Sequence, residues 1–186
     1  TADEAEIRSA VDVVTKTTHE TQTASNLAIL HCVCSYPVKP VNADLLAVQT
    51  LKTVFPDLTV GYSDHTNINR ASVLAVRLGA RIIERHFTDD RNSTEGPDHA
   101  ISADPNMMEK LISAIRGIPK NKLNLKSLKK TDSSMLGSGV VGTLSCEKEL
   151  KTLIRRSIVA NGALAAGAIV DSSNVTWVRP GGGMPP

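Results

Sequence analysis

Several features are missing from this sequence, and each absence excludes a class of protein. Lysine and arginine (21) nearly balance aspartate and glutamate (19), so no excess of positive charge suggests binding to nucleic acid or to an acidic membrane surface. No apolar run is long enough to span a bilayer, and the first residues lack the order of a signal peptide. We therefore expect a soluble, cytoplasmic protein that binds neither nucleic acid nor membranes.

Cysteine is also scarce, with three residues in 186. We expect Cys32 and Cys34 to point to opposite faces of a strand and to be reduced thiols of a cytosolic protein rather than a disulfide. The chain opens at Thr1 without a methionine and enters an amphipathic helix at once. This start suggests a piece of a longer protein.

Apolar periodicity predicts alternating helices and strands in the first two thirds of the chain. Helices are predicted at 3–16, from a cap at Asn42, at 68–78 and from Asp104 onward, with Gly79 and Pro105 in positions typical of helix ends. Strands are predicted at 27–33, 58–62 and 81–84, and the first reads as buried on both faces. This order favours an α/β fold with a parallel sheet.

The composition changes after Gly117. Residues 117–145 are rich in Lys, Ser and Gly and are interpreted as a linker, and the basic run at 120–130 as its solvated part. From 155 onward, short β-rich runs alternate with Gly and Asn turns, which is typical of a small all-β unit.

Polar side chains follow each predicted strand at its carboxyl end, where ligands of parallel sheets bind. Cys34 and Tyr36 follow the first strand, Ser63 and His65 the second, and His86 the third. Two histidines on neighbouring strand ends, with acids close by, predict a divalent-metal site with open positions for substrate oxygens. Such a metal would act as a Lewis acid on a carbonyl group.

The acids beside these histidines have two interpretations. Asp64 and Glu84 either orient the imidazoles or form ordinary ion pairs, for example with Arg85 or Arg81. Ser63 either contacts a phosphate or satisfies a turn backbone.

Four further positions carry weaker expectations. Asp98 and His99, in the loop after the third strand, either reach over the site or form a plain turn. His19 and His31 are expected to have no role in the site.

With these stretches in hand, the chain resembles the N-acetylneuraminate (sialic acid) synthase family. The matching pieces, in family order, are LAILHCVCSYPVKP (27–40), VGYSDHT (60–66), GARIIERHFTDDR (79–91), GPDHAIS (96–102), and RRSIVA and VTWVRPGGG near the end.

The resemblance implies a (β/α) TIM-type barrel followed by an antifreeze-like, or SAF, β domain. On the family pattern the three strands would be the sixth, seventh and eighth of the barrel. A whole barrel needs about 250 residues, so this segment alone could not close one. The implied divisions are 1–117 for the barrel portion, 118–150 for a linker, and 151–186 for the start of the SAF domain.

The resemblance also implies the chemistry. His65 and His86 would bind Mn²⁺ or Mg²⁺, which polarises the aldehyde of an open-chain N-acetylated aldose. Carbon 3 of phosphoenolpyruvate attacks this aldehyde, water adds at carbon 2, and phosphate leaves. Glu84 and Asp98 are the implied catalytic residues.

Ser63, Tyr36 and Cys34 are the implied substrate contacts. The GPDH form favours N-acetylmannosamine as acceptor over the legionaminic and pseudaminic acid precursors, and the full-length enzyme is expected to be a homodimer.

We expect this segment alone to be inactive, because the family's substrate-binding lysines come from earlier strands and Cys34 replaces the usual Ser or Asn. Two other interpretations remain open at this point. The chain could be an inactive binding or assembly module that uses an exposed sheet edge, or an unrelated metal-dependent lyase or aldolase on a barrel.

Overall fold

The computed structural model of the protein describes residues 1–17, 27–119, 125, 128–179 and 183–184. His19 lies outside the described residues, as does most of the basic run at 120–130.

Helices and strands alternate from the first residues to position 116, as the periodicity predicts. The elements are α1 (Glu4–Thr17), β1 (Ala28–Cys32), α2 (Leu46–Val54), β2 (Thr59–Asp64), α3 (Asn69–Leu78), β3 (Ile82–Arg85) and α4 (Pro105–Arg116). Two short helices and two strands follow: α5 (Lys130–Ser133), α6 (Lys148–Ile154), β4 (Ser157–Ala160) and β5 (Val175–Val178).

Local signals fix two of the helix ends as predicted. Gly79 adopts the left-handed conformation (φ 110°) that ends α3, which glycine enters without a Cβ penalty. Asp104 caps α4 by accepting a hydrogen bond from the Met107 backbone N–H at 2.7 Å, and Pro105 takes the first helical position.

The start of α2 differs from the prediction. Asn42 does not cap this helix but lies in a short 3₁₀ turn, Pro40–Asn42, and the helix begins at Leu46. Between them Asp44 adopts a positive φ of 44°. The backbone N–H groups of Leu45 and Leu46 donate instead to the Met135 and Leu136 carbonyls at 3.0 and 2.9 Å, so a distant segment replaces the local cap.

The three strands form a parallel sheet in the order β1-β2-β3, which confirms the predicted fold class. Only β2 has a neighbour on both sides, and its residues from Val60 to Asp64 are buried. The prediction that β1 is buried on both faces is wrong, since all its residues are only partly buried. In the described residues β1 pairs on one edge only, which leaves its outer side uncovered.

The core lies between this sheet and helices α2 and α3. Its buried members include Val33, Leu45, Val48, Leu51, Val60, Tyr62, Leu74 and Leu78. Met135, from the segment predicted as a linker, also lies in this core with 1% exposure. Part of that segment therefore packs against the α/β unit, which composition did not predict, while the three domain boundaries stay predictions.

The end of the chain forms a separate small sheet. Strands β4 and β5 pair antiparallel, with Ser157 opposite Val178 and Ala160 opposite Val175. These strands agree with the predicted β-rich runs, and their assignment to a SAF domain stays a prediction. Across the described residues, no helix has the length and apolar character needed to cross a membrane.

Candidate functional site

The two predicted histidines lie side by side at the carboxyl end of the sheet. Asp64 and Arg85 end β2 and β3 and are paired in the strand register, and His65 and His86 follow them directly. The centroids of the two imidazole rings are 5.2 Å apart, with a 73° angle between the ring planes. The strand register thus brings together two rings that are 21 residues apart in sequence.

His65 is anchored in a way that leaves one ring nitrogen free for a ligand. Its Nδ1 lies 3.0 Å from the Val33 carbonyl oxygen, and the residue is 5% exposed. Because a carbonyl only accepts, Nδ1 carries a hydrogen, and in the neutral ring Nε2 then has the lone pair that a metal needs. Metal-binding histidines are commonly oriented by this kind of second contact.

His86 has a carboxylate on the same ring position. Its Nδ1 lies 3.6 Å from Asp98 Oδ2, longer than a direct hydrogen bond, and the Asp98 side chain is 54% exposed. Asp98 therefore reaches the site, as one of the two interpretations of the loop had it, and lies beside an imidazole.

The separation of the two rings is one that a shared divalent ion requires. An imidazole nitrogen binds such an ion at roughly 2.1 Å, so two rings at roughly 90–110° around it have centroids roughly 4.6–5.3 Å apart. The observed separation of 5.2 Å lies in that range. No cluster of three or more His, Cys, Asp or Glu that could hold a metal occurs in the part of the chain described. Water or substrate oxygens would fill the other positions.

Ser63 and Glu84 form a second feature of the site, across the same two strands. The Ser63 hydroxyl donates to Glu84 Oε2 at 2.6 Å. Ser63 is buried, whereas Glu84 is exposed on β3. The single hydroxyl hydrogen of Ser63 is thus occupied by a carboxylate, so a phosphate would have to compete for it.

Tyr36 faces the histidines from the end of β1. Its ring centroid lies 4.4 Å from that of His65 and 6.0 Å from that of His86, and the residue is 49% exposed. Tyr36 therefore lies next to both rings and remains accessible to a ligand.

The two cysteines near this site are neighbours. The expectation that they point to opposite faces is wrong, because side chains two residues apart return to the same side of an extended chain. The hydrogen bond from the Cys34 thiol lowers the pKa of Cys32 to about 7 and raises that of Cys34, and both thiols are free. Cys32 Sγ also lies 3.8 Å from His65 Nδ1.

Asp64 forms an ion pair, one of the two alternatives left open by the sequence. Arg85 Nη1 donates to Asp64 Oδ2 at 2.9 Å, and the two side chains are 1% and 0% exposed. Asp64 also accepts from Thr66 and from the Ser72 hydroxyl on α3. Asp64 therefore turns toward the helices and does not contact the imidazoles directly.

The remaining histidines are structural in the described chain. His31 Nε2 lies 2.9 Å from the Ala43 carbonyl oxygen, and its ring stacks on Tyr62; burial lowers the pKa of His31. His99 Nδ1 lies 2.7 Å from the Thr88 hydroxyl, within the loop that carries Asp98. His31 thus contacts Ala43 and Tyr62, and His99 supports the loop.

Glu147 is a residue that sequence reasoning missed. Its side chain is buried and accepts hydrogen bonds from the backbone N–H groups of Cys34 and Leu144, each at 2.8 Å, and from the Thr1 nitrogen at 3.2 Å. Glu147, Cys32 and Cys34 line a cavity of about 220 Å³. No pattern around Glu147 in its Lys-rich surroundings distinguishes it from an exposed acid.

Parallel strands that alternate with helices, and carry ligand-type side chains at their carboxyl ends, define part of a (β/α) barrel. Residues 1–126 match the sequence model of the NeuB family. The chain belongs to the NeuB family, which confirms the resemblance to sialic acid synthases.

Individual relatives agree with this assignment. The chain is 37% identical over 181 residues to the N,N'-diacetyllegionaminic acid synthase of Legionella pneumophila, covering 97% of this chain and 46% of that one. Two crystal structures are similar. One is the spore coat polysaccharide biosynthesis protein SpsE of Bacillus subtilis (TM-score 0.78, 29% identity, 96% of this chain and 48% of that one).

The other is the N-acetylneuraminic acid (sialic acid) synthetase of Leptospira borgpetersenii (TM-score 0.55, 34% identity, 81% of this chain and 45% of that one). The chain thus spans under half the length of the proteins compared.

Proposed function

We propose that this chain supplies the metal-binding part of a synthase that condenses phosphoenolpyruvate with an N-acetylated aldose. The products are a nonulosonate, such as N-acetylneuraminate, and phosphate. The observation that carries the proposal is the pair His65 and His86, whose rings are 5.2 Å apart. Both rings are approached at Nδ1, by Val33 and Asp98, which leaves Nε2 of each for an ion.

Each neighbouring side chain has a place in this chemistry. A bound Mn²⁺ or Mg²⁺ would supply Lewis acidity to the sugar aldehyde. Glu84, held by Ser63, is placed to exchange a proton with reacting groups above the strand ends. Tyr36 offers an exposed hydroxyl beside both imidazoles, for the sugar or for water.

Asp98 lies against His86 and supports the charge that a metal places on that ring. Cys34 is a weak hydrogen-bond donor toward phosphoenolpyruvate, and its hydrogen already bonds to Cys32.

The acceptor we propose is N-acetylmannosamine. The similar proteins are named for different products, legionaminic acid in one case and sialic acid in another. Both products are made by the same type of condensation, so these relatives support the proposed reaction. The choice of acceptor sugar rests on the GPDH sequence alone.

The described residues alone lack the positive charge that phosphoenolpyruvate requires. Arg85, the cation closest to the histidines in sequence, is buried and donates through Nη1 and Nη2 to Asp64 and to backbone carbonyls. Glu84 and Asp98 add negative charge beside the site. We therefore propose that catalysis needs residues beyond this chain. From the family resemblance we also propose that the complete enzyme is a cytoplasmic homodimer.

The test is an assay of the protein at its full natural length with phosphoenolpyruvate and N-acetylmannosamine. Treatment with a chelator should abolish phosphate release, and Mn²⁺ should restore it. Replacement of His65 by Ala should lower the rate at least 100-fold, whereas His31→Ala is the matched control for a histidine outside the site. Full activity in excess chelator would reject the metal role, and mass spectrometry of the product identifies the acceptor.

A second function has one observation in its favour. In the described residues β1 and β3 each use only one edge in pairing, and a free strand edge can bind another chain. The chain would then be an assembly module without catalysis. Association on a sizing column without phosphoenolpyruvate turnover would support this alternative.

A further inference from the structure

We propose that the buried ion pair of Asp64 and Arg85 positions His65 and His86 so that both rings reach one ion. The inference rests on the function proposed above, and it assigns a role to two residues that do not touch substrate or metal.

The ion pair is one residue before the two histidines on the paired strands. Asp64 and Arg85 are register partners, and each is the residue before a site histidine. Side chains alternate along a strand, so the charged pair and the imidazoles lie on opposite sides of the chain at the same level. Any shift of one strand end against the other would move both pairs together.

Arg85 also holds the chain on both sides of His65. Its Nη1 donates to Asp64 Oδ2 at 2.9 Å, and its Nη2 donates to the Thr66 carbonyl at 2.7 Å. The residue before and the residue after His65 are therefore bound by one planar guanidinium. This fork has a fixed geometry that a lysine does not provide.

Asp64 is held in turn by groups that cannot move freely. Oδ1 accepts from the Thr66 backbone N–H at 2.8 Å and from its hydroxyl at 2.7 Å, while the Ser72 hydroxyl on α3 donates to Oδ2. The side chains of the pair are 1% and 0% exposed, so water does not screen or replace these bonds. The network ties β2, β3 and α3 at the level where the histidines begin.

The experiment removes both charges at once, because removal of one would leave the other buried and unpaired. In the double variant Asp64→Asn, Arg85→Met we expect the Kd for Mn²⁺, measured from the EPR signal of the free ion, to rise about tenfold or more. A crystal structure of the variant should show the two rings displaced from their 5.2 Å separation.

A matched control exists elsewhere in the molecule. Arg70 and Asp132 form another arginine–aspartate pair, which joins α3 to α5 and includes an aspartate side chain that is 5% exposed. The double variant Arg70→Met, Asp132→Asn should leave the Kd for Mn²⁺ within twofold of the wild-type value. The single variant Arg85→Lys keeps the charge and should weaken Mn²⁺ binding with an unchanged far-UV CD spectrum, so the test does not depend on one variant folding.

The outcomes separate this proposal from the function on which it rests. An unchanged Kd together with an unchanged ring separation in the variant would overturn the positioning role. If the wild-type protein does not bind Mn²⁺, the metal function fails, and the ring separation in the variant still decides whether the ion pair positions the histidines. Equal effects in the control pair would also overturn the proposal, since they would reflect loss of stability alone.

Discussion

The α/β part of the chain and its C-terminal strand pair both contain the strands that their sequences predict, but only the first surrounds a core. Val60 and Leu45 in the α/β part are 2% and 0% exposed. Around β4 and β5, Ile169 is 83% exposed, Val170 59% and Trp177 49%. Two paired strands satisfy each other's backbone but bury little apolar surface, because a hairpin-sized sheet has no second layer to cover it.

The two regions also differ in what they contribute to the candidate site. All the predicted site residues, from Cys34 to Asp98, lie in the α/β part, and the NeuB family match ends at residue 126. The C-terminal strands contribute no side chain to the described site. Their role as the start of a SAF domain is therefore a separate prediction.

The largest expected difference between the two regions is in core substitutions. Leu45→Ala should lower the free energy of unfolding by about 2–5 kcal/mol, because it opens a cavity in a filled core. Ile169→Ala should change it by less than about 0.5 kcal/mol, because that side chain is already in solvent. Urea unfolding followed by far-UV CD measures both changes. Similar losses in the free energy of unfolding at the two positions would contradict the claim that only the α/β part has a filled core.

A smaller effect tests whether the segment around Glu147 belongs to the α/β part. Burial alone raises the pKa of Glu147, but the N–H groups of Cys34 and Leu144 together with the Thr1 amino group outweigh it and hold the pKa below its usual 4.5. The stabilisation is therefore complete above pH 4.5 and is lost as the pH falls through the folded-state value.

Glu147→Gln should cost about 1–3 kcal/mol at neutral pH, since an accepting oxygen becomes an amide that cannot accept from both N–H groups. The difference between wild type and variant should shrink as the pH falls below 4.5 and through the lowered folded-state pKa of Glu147. Glu149→Gln, at an exposed neighbouring position, is the control. A gap that widens in acid would contradict the assigned direction of the pKa shift.

The smallest effect concerns Trp177, the single tryptophan of the chain. Because it is half exposed on β5, its fluorescence reports on the C-terminal strands, whereas far-UV CD reports mainly on the helices. We expect the fluorescence transition in urea at a lower concentration than the CD transition. Coincident transitions would mean that the two regions unfold as one unit.

Local sequence signals predicted the parts of the fold that depend on local chemistry. The cap at Asp104 and the left-handed Gly79 need only their own backbone, and both are confirmed. Asn42 failed as a cap because Met135 and Leu136, far along the chain, satisfy the N–H groups at the start of α2. Such a partner leaves no mark in the sequence near the helix.

In the candidate site, too, features that depend on local chemistry were predictable and contacts with distant partners were not. The pairing of His65 with His86 was predictable, because parallel strands place their carboxyl ends at one edge. Whether Asp64 would orient an imidazole or bind Arg85 was not predictable, since both partners lie within reach and packing against Ser72 decides between them. Glu147 reaches the site across more than 100 residues, beyond any pattern of spacing.

Side chains at the ends of β2 and β3 alternate between the two faces of the sheet, which makes this region sensitive to the insertion or loss of a single residue. Each histidine follows a charged residue that turns toward the helices, so the order of charge and imidazole is repeated on both strands. Insertion or loss of one residue in either strand would exchange the two sides and place a histidine where a carboxylate or guanidinium now lies. A change in length of a single residue would therefore separate the two halves of the site.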